Sequence, residues 1–104
     1  MGEILILTTV DTLELGRRIA SALVEDRLAA CVNIIPQMRS VYRWEGEVRD
    51  EPELLLLIKT AGAQFEAVRR RIREMHSYHV PEIIAVPIVA GDADFLAWLR
   101  QQAG

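Results

Sequence analysis

The side chains of this chain best suited to chemistry are gathered in one short stretch, His76-Ser77-Tyr78-His79-Val80-Pro81-Glu82-Ile83-Ile84, which holds both histidines, a tyrosine and a carboxylate. His76 and His79 are three residues apart, a spacing that lets two imidazoles share a metal ion if a helix persists through His79. Pro81 restricts Val80 to extended backbone, so no helix continues past it. The cluster is therefore expected in a helix-to-strand connection, a common location for binding groups. The competing reading is that these polar groups cap the helix end and bond to backbone.

Other candidates are scattered. Cys31 stands among Ala and Val in a β-prone run, where a free cysteine usually behaves as a small apolar residue; with no base near it in sequence, nothing marks it as a nucleophile. Lys59 closes an apolar run, and is either a solvated strand end or, within a cleft, an anion-binding group. Arg69, Arg70, Arg71 and Arg73 form a basic stripe flanked by Glu66 and Glu74, the pattern of a solvated helix face. The chain has no Gly-rich phosphate loop, no serine in a nucleophile elbow and no assembled acid–base pair, so an enzyme is not expected.

The elements that must hold these residues follow from periodicity. Glu3–Val10 is a β-rich apolar run. Asp11 is the expected N-cap of a helix that carries Leu15, Ile19, Ala22 and Leu23 on one face, with Glu14 as its capping-box partner. Leu28–Ile35 reads as a strand interrupted by Pro36, and strand character resumes at Ser40–Trp44. Glu45-Gly46 is a hairpin tip leading to a return strand through Glu53–Thr60. Gly62 opens a second helix whose apolar face is Phe65, Val68, Ile72 and Met75. Ile83–Val89 is a fourth strand, with Pro87 pointing to an edge, and Asp92 caps a last helix carrying Phe95, Leu96 and Leu99. The order β-α-β-β-α-β plus a terminal helix predicts an α+β, ferredoxin-like split βαβ fold over residues 1–104, a single domain.

Composition narrows the function. With 51% hydrophobic and 26% charged residues the chain is globular. A net charge of −3 disfavours general binding to nucleic acid or anionic membranes. RNA-binding domains share this topology, but the strands here are aliphatic where stacking aromatics would be needed. No run is long enough to span a bilayer. One cysteine and no leader-like pattern predict a reduced, cytoplasmic setting.

The strands carry apolar residues on both faces: Ile4–Leu7, Ile34-Ile35, Leu54–Ile58 and Ile83–Val86. A sheet covered by helices on one side would leave roughly 500 Å² of apolar surface wet, about 12 kcal/mol of burial left unrealised. Val41, Tyr42 and Trp44 also sit on a hairpin longer than two short helices can cover. Both features predict a closed symmetric homo-oligomer.

Four motifs then carry a resemblance: Leu28-Ala29-Ala30-Cys31-Val32-Asn33, Ser40-Val41-Tyr42-Arg43-Trp44-Glu45-Gly46, Leu57-Ile58-Lys59-Thr60 and His76-Ser77-Tyr78-His79-Val80-Pro81-Glu82-Ile83. In order and spacing they resemble the CutA family of divalent-cation tolerance proteins over nearly the whole chain, to Trp98. The resemblance implies a ferredoxin-like homotrimer interlocked through its hairpins, with an architecture similar to PII signalling proteins. Some bacterial members bind copper through a first-strand cysteine and adjacent histidines after the second helix. Here Thr8 and Met75 occupy two of those positions, and His76 alone matches. Two functional expectations result. One is a divalent-metal protein, binding copper or zinc through His76 with Glu82 or Cys31. The other is a signalling-type trimer that binds a small ligand in an intersubunit cleft lined by Lys59, Tyr78 and Trp44 together with His76 and Glu82.

Overall fold

The computed structural model describes residues 2–104. Its elements are β1 (Glu3–Val10), α1 (Leu13–Glu25), β2 (Cys31–Trp44), β3 (Glu47–Ala61), a short 3₁₀ turn (Gly62–Gln64), α2 (Phe65–Met75), β4 (Ile84–Pro87) and α3 (Ala93–Gln102). The strands form one antiparallel sheet in the order β2-β3-β1-β4, the arrangement of the ferredoxin-like fold expected from the element order.

Strand alternation sorts the side chains. Ile6, Thr8 and Val10 of β1 and Leu56, Ile58 and Thr60 of β3 point to one face, where α1 and α2 cover them. Leu15, Ile19 and Leu23 of α1 and Val68 and Ile72 of α2 complete this core. Leu5, Leu7 and Thr9, with Glu53, Leu55, Leu57 and Lys59, share the opposite face with Cys31, Asn33 and Ile35 by register. Of that face α3 covers only one end: the Phe95 ring lies 5.8 Å from the Lys59 ammonium, and Arg100 pairs with Glu3 at 3.1 Å. Ile35, Ile84 and Val86 of the strands with apolar residues on both faces remain exposed.

β1 stops pairing with β3 at Val10↔Leu54, whereas β2 and β3 continue to Trp44↔Glu47. The excess projects as a two-stranded arm along the long dimension of the 44 × 25 × 23 Å chain. Its tip turns through Glu45 at φ 50° and Gly46 at φ 80°, the paired left-handed residues whose twist suits a two-residue hairpin.

Local differences from the expected boundaries have simple causes. Thr12, not Asp11, is the N-cap of α1: its Oγ1 accepts from Leu15 N at 3.1 Å, while Asp11 accepts the Ser77 hydroxyl instead. β2 begins at Cys31 rather than Leu28, because the amides of Leu28 and Ala29 close the end of α1 on the Leu23 carbonyl. Pro36 does not divide the strand. The register slips by one residue between Ile35 and Met38, with Gln37 at φ 63°, so the edge strand absorbs the proline as a bulge. β4 is shorter than expected, four residues, and Pro87 does lie on an edge strand.

Candidate functional site: the cleft between the segment after α2 and the arm

α2 ends at Met75, and His76, in extended backbone, donates its own amide to the Ile72 carbonyl at 2.9 Å. The helix therefore does not reach His79, and the two imidazoles do not share a helical face. His76 folds back onto β1. Its Nδ1 lies 3.0 Å from the Tyr78 amide and its Nε2 lies 2.7 Å from the Thr9 carbonyl. The amide can only donate, so Nδ1 accepts, and Nε2 carries the proton and donates to Thr9. Each ring nitrogen thus has a backbone partner. The ring also leans on Tyr78, centroid to centroid 4.7 Å.

This bracing aims Tyr78 at the root of the arm, where its hydroxyl donates to Glu53 Oε2 at 2.5 Å. Glu53 is only 9% exposed. Burial, and then the hydrogen bond to the Glu53 carboxylate, raise the Tyr78 phenol well above its ordinary value of 10.0. Ser77 donates to Asp11 at 3.2 Å and Arg73 to the His79 carbonyl at 3.4 Å, so the segment is tied to the residue that follows β1 and to its own helix.

Past the bulge, Met38, Ser40, Tyr42 and Trp44 pair with Glu53, Glu51, Arg49 and Glu47, and so continue the face that carries Glu53. Tyr42 donates its hydroxyl to Glu51, a bond that raises its phenol also. Between this face and the segment after α2 lies an open cavity of about 660 Å³, lined among others by Thr9, Tyr42, Trp44, Glu53, Tyr78 and Glu82.

Of the residues expected to bind, Trp44, Tyr78 and Glu82 meet at this cavity. His76 stands behind Tyr78 as its support and is not on the wall. Lys59 and Cys31 are elsewhere. They face each other across β3 and β2, six residues along β3 from Glu53, about 20 Å at the usual strand rise. There Asn33 Oδ1 accepts from the Lys59 ammonium at 2.7 Å, with the Cys31 thiol 3.9 Å away. Among the described residues no three His, Cys, Asp or Glu side chains converge on a point able to hold a metal ion. Sequence reasoning missed Glu53, Tyr42 and Arg49. A signal existed for Glu53: it lies in phase with Leu55 and Leu57, a carboxylate placed where the strand pattern is apolar.

The comparisons with known proteins agree with this fold. The family model described as CutA1 divalent ion tolerance protein matches residues 4–102. The divalent-cation tolerance protein CutA of Thermus thermophilus is 51% identical over 102 residues, covering 98% of this chain and 99% of that protein. The chloroplastic protein CutA of Arabidopsis thaliana is 43% identical over 98 residues, which are 94% of this chain and 54% of that longer protein. Among solved structures, the divalent cation tolerance protein from Thermus thermophilus superimposes with a TM-score of 0.96 at 51% identity, over 98% of this chain and 99% of that one. The periplasmic divalent cation tolerance protein CutA from Archaeoglobus fulgidus gives 0.95 at 39%, over 98% and 99%. With matched residues spanning every strand and helix of the sheet that builds the cleft, this chain belongs to the CutA1 divalent ion tolerance family.

Proposed function

We propose that this chain acts as a cytoplasmic, non-enzymatic homotrimer that serves divalent-cation tolerance as a binding protein, and that its binding surface is the cleft between the segment after α2 and the arm. The observation that carries this reading is Glu53: a carboxylate nine-tenths buried, held by one phenol, at the edge of a cavity of about 660 Å³ walled by Trp44 and Tyr78. A buried charge is costly unless paired, and concave sites with a few placed polar groups are the usual form of ligand pockets. Assembly through the exposed apolar sheet face and the arm puts this cleft at a subunit boundary. A thermal-shift screen of metabolites and divalent metals on the assembled protein tests the proposal. A ligand that raises the melting temperature of the wild type, and fails to do so with Trp44→Ala, is the expected result; protection that is equal in both proteins refutes the cleft.

The family's divalent-cation description favours a second reading, capture of copper or zinc by His76 with Glu82 or Cys31. It requires Nε2 of His76 to release the Thr9 carbonyl, and ligands from more than one subunit. Calorimetric titration of copper into the wild type and His76→Ala decides it: equal binding by the two proteins removes His76 from any metal site.

A further inference from the structure

The cleft has a charge preference written into its walls. Glu53 offers two carboxylate oxygens, about four acceptor positions, and among the described residues only the Tyr78 hydroxyl uses one of them. The ion pairs found among the described residues join Arg39 to Asp50, Arg69 to Glu66, Arg71 to Asp26 and Arg100 to Glu3, and none reaches Glu53. Glu82 lines the same cavity, as does His79, which is not among the partners of Glu53. The one guanidinium on the wall, Arg49, is four residues along β3 from Glu53, about 13 Å at the usual strand rise. At the Glu53 end the cavity therefore presents buried negative charge for which the described residues of this chain supply no counterion. The rings of Trp44, Tyr42 and Tyr78 border it, and aromatic faces attract cations.

We propose that the cleft takes a primary ammonium group carried on a flat apolar body, with the charge against Glu53 and the body against Trp44 and Tyr42. This rests on the reading of the cleft as the binding surface and specifies the ligand class. A primary ammonium supplies three donors for the acceptor positions of Glu53 that the described residues leave open, and it neutralises a charge they leave unpaired. A divalent ion is the poorer occupant, because no third carboxylate, thiol or imidazole converges with Glu53 and Glu82 among the described residues.

The test uses three compounds of one shape, 2-phenylethylamine, 2-phenylethanol and 3-phenylpropionate, titrated into the assembled, ¹⁵N-labelled full-length protein. The readouts are the Trp44 indole and the Tyr78 and Glu53 amides. The expected result is saturable binding of the amine at least tenfold tighter than that of the alcohol. Glu53→Gln, which still accepts the Tyr78 hydroxyl, should lose that advantage, whereas Arg70→Ala on the solvated face of α2 keeps it. If the alcohol or the propionate shifts the same signals as tightly as the amine does, the cleft stands as a binding site and the ammonium assignment is overturned. The same holds if Glu53→Gln binds the amine undiminished. If none of the three compounds moves these signals, the cleft reading itself falls, and the ligand class with it. The wild-type comparison of the three compounds is decisive even if Glu53→Gln fails to fold.

Discussion

Tyr78 and Glu53 are joined by a 2.5 Å hydrogen bond across 25 positions of sequence, and this contact fastens the segment after α2 to the root of the arm. Glu53 is buried, so its carboxylate depends on that hydroxyl. Tyr78→Phe is expected to destabilise the protein by about 1–3 kcal/mol, the usual penalty for leaving a buried polar group without its partner. Urea denaturation of both proteins, fitted with a common slope, measures it; a change within error would show that water replaces the phenol at no cost.

The same pair predicts a response to alkali. The Tyr78 phenol is raised in the folded protein, chiefly by burial and then by its bond to Glu53. In the unfolded chain it ionises near 10.0, so above that pH the unfolded state binds fewer protons than the folded one and stability falls as pH rises. The contribution is fully present below pH 10. The stability difference between the wild type and Tyr78→Phe should thus be constant from pH 7 to 9 and shrink beyond pH 10. Parallel melting curves across that range check the sign.

His76 bridges the Thr9 carbonyl and the Tyr78 amide through its two ring nitrogens. His76→Ala deprives both backbone groups of their partner and removes the ring that supports Tyr78. A loss of about 2 kcal/mol is expected, from two hydrogen bonds at about 1 kcal/mol each. Amide exchange at Tyr78 should quicken by more than at residue 76, whose own amide donates to the Ile72 carbonyl and does not depend on the imidazole. Uniform quickening throughout the molecule would instead mean a purely global effect.

Thr8 is fully buried on the helix-covered face, and its hydroxyl has no hydrogen-bond partner. Thr8→Val keeps the β-branched shape and removes the unpaired group. It should stabilise the protein by about 1 kcal/mol, the low end of the penalty for an unsatisfied polar atom. Chemical denaturation will show it; a destabilised variant would mean that the hydroxyl is bonded in solution.

Trp44 and Arg71 separate assembly from surface chemistry. Trp44 is partly exposed on the arm, whereas Arg71 pairs with Asp26 at 3.2 Å on the outer side of the helices. Trp44→Asp should shift the assembled protein toward smaller species at low micromolar concentration, and Arg71→Asp should not. Light scattering distinguishes them. A folded monomer in the wild type at that concentration would refute the trimer.

The architecture was legible in the apolar pattern of the chain. Apolar spacing over Leu15–Leu23 and over Phe65–Met75 can be buried in only one way, and two-sided strands with a Glu45-Gly46 tip leave little choice of topology. The motifs around Cys31, Trp44, Lys59 and His76 were equally visible, and they placed the chain in its family. What they could not specify was which of these residues share a site, because that depends on strand register. One residue of slip at Pro36–Gln37 keeps Met38, Ser40, Tyr42 and Trp44 on the face of Glu53. The pairing of Cys31 with Lys59 carries those two about 20 Å from it at the usual strand rise. Likewise His76 was a candidate ligand because it matches a histidine of the resembled family's copper site; its ring nitrogens face the Thr9 carbonyl and the Tyr78 amide, and the first of these lies 67 positions away. Side-chain partners separated by so many residues meet only when the sheet has closed, so it is strand register, and not the local motif, that sets His76 behind Tyr78 and brings Glu53 into the cleft.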